Sequence, residues 1–138
     1  MAINFSNYYL CAMRSDKPNI IVDKTIGFSL TIIKYCDKLS EERKFIVANQ
    51  LLRSSTSIGA NVFEAQCAES RADFIHKMKL AAKEAQESLY WLILCKKSDG
   101  YIFNEEYIKE LDEIIKILSK IITSAKHMNT KNPKTFTH

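Results

Sequence analysis

The sequence has few residues that interrupt helices, and this shortage is its most informative feature. Its 138 residues include three glycines and two prolines, and both prolines, Pro18 and Pro133, lie near the ends. Proline breaks helices because it lacks a backbone N–H group, so the long stretch between them favours helix. A chain of this length usually forms one domain with one core. The sequence therefore predicts a single all-α domain.

Patterns that carry chemistry are also scarce. The four cysteines form neither a CxxC pair nor a zinc-ligand pattern with histidine, so we expect reduced thiols. No glycine-rich phosphate loop, nucleophile elbow or HExxH motif occurs. The N-terminus lacks a signal-peptide pattern, and no apolar run is long enough to cross a bilayer. We expect a cytoplasmic protein without membrane association, cofactor, metal or small-molecule substrate, and not an enzyme.

Helical periodicity divides most of the chain into four segments. Residues 1–18 lack it and are predicted to be a flexible N-terminal arm, residues 19–128 a bundle, and residues 129–138 a frayed tail. Capping residues mark the predicted starts of the last three helices, at Ser40, Ser70 and Asn104. Short connections favour neighbouring helices that alternate in direction. The prediction is an antiparallel up-down-up-down four-helix bundle.

Two of the predicted helices carry two apolar rows each, which is more than one core seam requires. The first helix has one row at Val22, Ile26, Leu30, Ile33 and Cys36 and another at Ile21, Thr25, Phe28, Ile32, Tyr35 and Leu39. We expect it to be buried over a broad face. The fourth has a heptad row at Ile108, Leu111, Ile115, Leu118, Ile122 and Ala125 and a second row at Tyr107, Ile114, Ile117, Ile121 and Met128. That second row either meets other helices of the bundle or forms an oligomer contact.

The second predicted helix contains residues that helix interiors disfavour. Serine, threonine and asparagine compete for backbone hydrogen bonds, and Gly59 costs about 1 kcal/mol relative to alanine. Helical spacing places a polar strip on one face, formed by Arg53, Ser54, Ser57, Asn61 and Glu64. The strip is either a hydrogen-bonded helix contact, inside the bundle or between subunits, or an anion site on Arg53 and Asn61. We expect the contact, with Gly59 admitting a neighbouring backbone.

The same part of the chain resembles a known family. The stretch LRSSTSIGANVFEAQCAESRADFIHKMKLAAKEAQESLYWL, with NIIVDKTIGFSLTIIKY before it and a DGYI turn after it, resembles the bacterial 23S rRNA intervening-sequence protein family of four-helix bundles. The likeness covers residues 19–127. That family is similar to the accessory protein of diversity-generating retroelements. The resemblance implies a cytoplasmic homopentamer that engages RNA or DNA.

Nucleic-acid binding would depend on lysine side chains. The net charge of +4 is modest, but an oligomer repeats it. The candidate contacts are Lys77, Lys79, Lys83, Lys96 and Lys97. Aromatic residues are present at Tyr90, Trp91, Tyr101 and Phe103. They form either a base-stacking surface or aromatic caps on the core, and we expect the caps.

Two other functions follow from the sequence as alternatives. A protein-binding adaptor without a nucleic-acid role would use the second apolar row of the fourth helix. A ribonuclease would use Arg71 and His76, whose Arg-x4-His spacing resembles the motif of helical HEPN domains, although Ala72 stands where that motif is usually polar. A di-iron bundle requires Glu-x-x-His on two helices, and the chain offers one such spacing, from Asp73 to His76.

Overall fold

Four α-helices account for most of the described chain, residues 19–130 of a computed structural model. They are α1 (Ile20–Glu41), α2 (Phe45–Ala65), α3 (Arg71–Lys97) and α4 (Glu106–Thr130). Each helix packs against the next, and α4 packs back on α1, so the four surround one core. The predicted all-α, up-down-up-down four-helix bundle is confirmed.

The predicted arm and most of the predicted tail lie outside the residues that the structure describes. The predicted N-terminal arm, residues 1–18, lies outside the described residues. So does the predicted tail from residue 131 onward, whereas residues 129 and 130, the first two of that predicted tail, continue α4. Within residues 19–130, no helix is both long and apolar enough to cross a membrane.

The core is built from one row of large apolar side chains on each helix. Burying each of them stabilises the fold by roughly 1.5–3 kcal/mol relative to leaving it exposed. The largest fully buried side chains are Phe28, Ile32, Tyr35, Leu39, Leu51, Ile58, Val62, Met78, Leu92, Leu111, Ile114 and Leu118. The core extends along the bundle, and it decides which face of each helix remains outside.

The two apolar rows of α1 differ in burial. The row containing Phe28 and Ile32 is buried in the core. In the other row Ile26, Leu30 and Ile33 are 48%, 56% and 39% exposed. The expected burial of α1 over a broad face is therefore wrong for these three residues, because α2 and α4 cover the opposite side of the helix.

The second apolar row of α4 largely meets the bundle itself. Ile114 is buried, and Ile117 and Ile121 are partly buried against the core. Met128, at the end of the row, is exposed. Of the two alternatives left open by the sequence, contact with neighbouring helices accounts for most of this row.

The predicted helix starts at Ser70 and Asn104 are confirmed. Ser70 Oγ accepts a hydrogen bond from the backbone N–H of Asp73 at 3.0 Å. Asn104 Oδ1 accepts one from the backbone N–H of Glu106, also at 3.0 Å. Each side chain satisfies a donor that has no partner inside its own helix.

The turn between α1 and α2 corrects the predicted helix start at Ser40. α1 continues through Ser40 to Glu41, because Leu39 is fully buried and holds the last turn on the core. Lys44 N donates to Leu39 O at 2.8 Å and Arg43 N donates to Ser40 O at 2.9 Å, which is the pattern of a Schellman motif. Arg43 occupies the position usually taken by glycine, with a φ of 62°.

One of the described cysteines departs from the expectation of reduced thiols. Cys36 and Cys95 are free and buried, and burial raises the pKa of the Cys36 thiol to about 12. Cys67 is disulfide-bonded, so the expectation of reduced thiols is wrong for this residue.

The nearest neighbours of Gly59 are side chains, and a Cβ there would lie 3.4 Å from the Thr25 Cβ. The expectation that Gly59 admits a neighbouring backbone is therefore wrong, because side chains of α1 lie against it.

Replacing Arg43 with glycine is expected to raise the free energy of unfolding by roughly 1 kcal/mol. Glycine has no Cβ to strain the left-handed backbone, and this gain exceeds its extra entropy in the unfolded chain. Arg43→Ala is the matched control, since it removes the same charge but keeps a Cβ. Urea denaturation measures both variants, and an equal gain for alanine would contradict the role of backbone strain.

Candidate nucleic-acid interface

The contact between α2 and α3 is lined by small side chains with buried hydroxyl groups. Ser55 Oγ donates to Ser88 Oγ at 3.2 Å, Ser88 Oγ donates to Ser54 Oγ at 2.9 Å, and Ser54 Oγ donates to Leu51 O at 3.2 Å. All three serine side chains are fully buried. We call these three serines the serine seam. Their small size lets the two helices approach closely.

Ion pairs border the serine seam along one edge. Arg53 of α2 pairs with both Glu84 and Glu87 of α3. The hydrogen bond from Arg53 is the main reason that the pKa of Glu87 lies below its usual value. Farther along, Lys77 Nζ of α3 lies 2.7 Å from Glu64 Oε2 of α2. The charged ends of the predicted polar strip therefore meet α3 of the same chain.

The other members of the polar strip bond to their own helix. Ser57 Oγ donates to Arg53 O at 2.7 Å, and Asn61 Nδ2 donates to Ser57 O at 2.9 Å. Both side chains are half-buried. An anion at Arg53 would have to displace two carboxylates, so this arrangement favours a helix contact over an anion site.

The side of α3 that points away from the core displays two heptad rows. One contains His76, Lys83, Tyr90 and Lys97, and the other contains Lys79, Gln86 and Ile93. All seven residues are exposed, and none is acidic. Because seven residues make almost two full turns, each row runs nearly straight along the helix. We call these seven residues the outer face of α3.

Positive charge is concentrated on α3. This helix has six lysine and arginine residues and three carboxylates, whereas α1, α2 and α4 each have equal numbers of the two. Two of the three carboxylates on α3, Glu84 and Glu87, turn toward Arg53. The excess positive charge is therefore left largely to the outer face.

The five lysines predicted to contact nucleic acid fall into two groups. Lys79, Lys83 and Lys97 lie on the outer face, and none of them is ion-paired within residues 19–130. Lys77 is paired with Glu64, and Lys96 lies 2.9 Å from Glu105. Sequence spacing did not show this division, because the partners lie on other parts of the chain.

The aromatic residues are also divided. Phe103 packs edge-on against Tyr35 and Tyr107, and Tyr101 packs against the core. Trp91 is partly buried against the core as well. Tyr90, by contrast, is 56% exposed on the outer face. The expected packing role therefore fits the other three candidates but not Tyr90.

Arg71 and His76 do not form a joint site. Five helical residues rotate the chain by about 500°, which leaves the two side chains roughly 140° apart. Arg71 Nη1 donates to Ala125 O of α4 at 3.5 Å, whereas His76 is on the outer face. Among residues 19–130, no group of three metal-ligating side chains converges.

A second surface feature lies between α1 and α2, which we call the apolar cleft. It has a volume of about 330 Å³ and is lined by Ile26, Ser29, Leu30, Thr56, Gly59, Ala60 and Phe63. The exposed row of α1 forms one wall, and Phe63 stands on the other. The sequence does not reveal the cleft, because its two apolar rows on α1 look alike and both suggest burial.

Comparison with known proteins finds a matching family model and a similar solved structure. The family model of the 23S rRNA-intervening sequence protein matches residues 17–124. A crystal structure of a protein with unknown function from the S23 ribosomal protein family of Bacteroides thetaiotaomicron VPI-5482 is 44% identical, with a TM-score of 0.71. The alignment covers 76% of this chain and 96% of that chain. No curated protein matches.

Replacing Ser88 with alanine is expected to lower the free energy of unfolding by about 1–3 kcal/mol. The change leaves the buried Ser55 hydroxyl without its acceptor. Ser57→Ala is the control, because Ser57 is half-buried and bonds to its own helix, so its effect should stay within about 0.5 kcal/mol. Urea denaturation compares the two variants. An equal decrease in the free energy of unfolding would show that the serine seam does not stabilise the fold more than an exposed serine does.

Proposed function

This chain belongs to the 23S rRNA-intervening sequence protein family, and we propose that it is a non-enzymatic, self-associating scaffold that binds RNA or DNA. The observation that carries this proposal is the outer face of α3. It has three exposed lysines and no acidic residue, on the helix with the largest excess of positive charge. The cytoplasm, where we expect the protein, contains both polymers.

The spacing of the lysines suits contact with a phosphate backbone. Lys79 and Lys83 are one turn apart, about 6 Å along the helix, and Lys97 lies about 21 Å beyond Lys83. Each lysine that neutralises a phosphate releases counterions, so affinity falls as salt rises. Such contacts carry no sequence information, which fits a scaffold that binds many sites.

We place self-association at the apolar cleft between α1 and α2, with a second copy of this chain as its occupant. Leu30 and Phe63 project at its edges, while Ser29, Gly59 and Ala60 leave a recess between them. The same surface thus has both projections and a recess, which two copies can exchange in an isologous contact. A closed ring of five, implied by the resemblance to the retroelement protein, would instead be built from heterologous contacts, in which the apolar cleft of one copy meets a different patch of the next.

A protein-binding adaptor is the second candidate function, and the apolar cleft favours it too. A partner helix would insert apolar side chains between Leu30 and Phe63. The docking site would therefore be the apolar cleft rather than the second apolar row of α4, because that row mostly contacts the core. The adaptor would require a wild-type chain that remains monomeric and ignores nucleic acid.

Replacing Lys79, Lys83 and Lys97 together with glutamine is expected to weaken binding to mixed-sequence RNA and DNA. The slope of log affinity against log salt should become shallower by about 1 for each lysine that contacts a phosphate. Fluorescence anisotropy titrations between 50 and 200 mM salt measure both quantities.

The matched control for this triple variant replaces Lys109, Lys116 and Lys126 of α4 with glutamine. It makes the same change in net charge on another helix, where Lys109 and Lys116 are ion-paired with Glu106 and Asp112. Equal weakening by both triple variants would show that net charge, rather than the outer face, determines binding. Wild-type protein that ignores RNA and DNA at 50 mM salt would refute the proposal.

Leu30→Gln combined with Phe63→Gln is expected to convert the oligomer into smaller species. Both side chains are exposed in the single chain, so the fold should persist while the apolar contact is lost. Ile46→Gln is the control, because Ile46 is 81% exposed but does not line the apolar cleft. Size-exclusion chromatography with light scattering gives the masses, and a monomeric wild type or an unchanged double variant would contradict this placement.

A further inference from the structure

We infer that the outer face of α3 prefers single-stranded to duplex nucleic acid, because Tyr90 stacks on an unpaired base. This inference rests on the proposed nucleic-acid binding and names the form of polymer that is bound. Tyr90 is the aromatic member of the row that contains His76, Lys83 and Lys97. Tyr90 is 56% exposed, so a ligand can reach its ring.

Tyr90 stands midway between two cations. Lys83 precedes it by seven residues and Lys97 follows it by seven, so each lies about 10.5 Å away along the helix and about 20° away around it. A strand whose phosphates contact both lysines must pass over the tyrosine ring. A positively charged track interrupted by an aromatic ring is the usual design of surfaces that bind single strands.

The protein holds this ring in place before any ligand arrives. The rings of Tyr90 and Trp91 meet edge to face, with their centroids 5.2 Å apart. Trp91 is itself packed against the core, and its Nε1 donates to Glu87 Oε1 at 3.3 Å. Glu87 is in turn paired with Arg53 of α2. A ring held on one side loses less freedom when a base stacks on the other.

Two neighbours of Tyr90 extend the surface, and the carboxylate of Glu87, one turn before it, is paired with Arg53. Ile93, one turn further along, is exposed and supplies apolar area beside the ring. Gln86, one turn before, has an amide that can donate to a base or a phosphate. In a duplex the bases are already stacked on one another, so they reach Tyr90 only by unstacking. A duplex therefore gains the lysine contacts alone.

The test compares a fluorescein-labelled mixed-sequence single strand of DNA with the duplex of the same length. Wild-type protein, Tyr90→Ala, Tyr90→Phe and Phe45→Ala are titrated by anisotropy at two salt concentrations. Tyr90→Ala should weaken single-strand binding by roughly 5- to 140-fold, the equivalent of about 1–3 kcal/mol for one stacked base. Duplex binding should change by less than about twofold, because stacking contributes to single-strand binding alone.

Two further readouts separate stacking from a general loss of structure. Tyr90→Phe should retain the single-strand preference, since phenylalanine also stacks. The salt slope of Tyr90→Ala should match that of the wild type, because no phosphate contact is removed. Phe45→Ala is the control, because it removes an exposed aromatic side chain of α2 that does not belong to the outer face, and it should leave the preference unchanged.

The outcomes distinguish this inference from the proposed function. Wild-type binding to both polymers, with Tyr90→Ala unchanged, would overturn the stacking role and leave nucleic-acid binding standing. Equal weakening of single-strand and duplex binding by Tyr90→Ala would also overturn it. Wild-type protein that binds neither polymer would overturn both.

Discussion

The close contact between α2 and α3 is the constraint on which the other surfaces depend. Ser54, Ser55 and Ser88 bury their hydroxyl groups completely, and a buried hydroxyl is tolerated when it is hydrogen-bonded. The hydrogen bonds between them fix both the rotation of α3 and its position along α2. This fixed orientation of α3 determines which of its residues are exposed to solvent.

The same contact determines which charged residues of α3 are paired and which are exposed. Glu84 and Glu87 face Arg53, so two carboxylates are drawn to the edge of the serine seam. The lysines at positions 79, 83 and 97 remain exposed and are not ion-paired within residues 19–130. A chain with only a modest net charge thus acquires one helix face that is positive along its length. A structural contact and a candidate binding surface are two sides of one helix.

Periodicity and capping were sufficient to predict the bundle and the helix starts at Ser70 and Asn104, because both signals are local. They failed at Ser40, since the adjacent Leu39 is buried and Arg43 accepts a backbone conformation usually reserved for glycine. The two rows of α1 were indistinguishable in sequence, and packing against the neighbouring helices selected one.

For the candidate site, the sequence suggests five lysines without showing which of them are ion-paired, because the partners of Lys77 and Lys96 lie on other elements of the fold. The seven-residue spacing from His76 to Lys97 is visible in the sequence, but only the structure shows that this row lies on the exposed side of α3.

The most direct test of the account is lysine reactivity toward an amine-modifying reagent, mapped by mass spectrometry with and without RNA. The account predicts protection at Lys79, Lys83 and Lys97 and unchanged reactivity at Lys109 and Lys116. Protection confined to α4, or spread evenly over all helices, would contradict it.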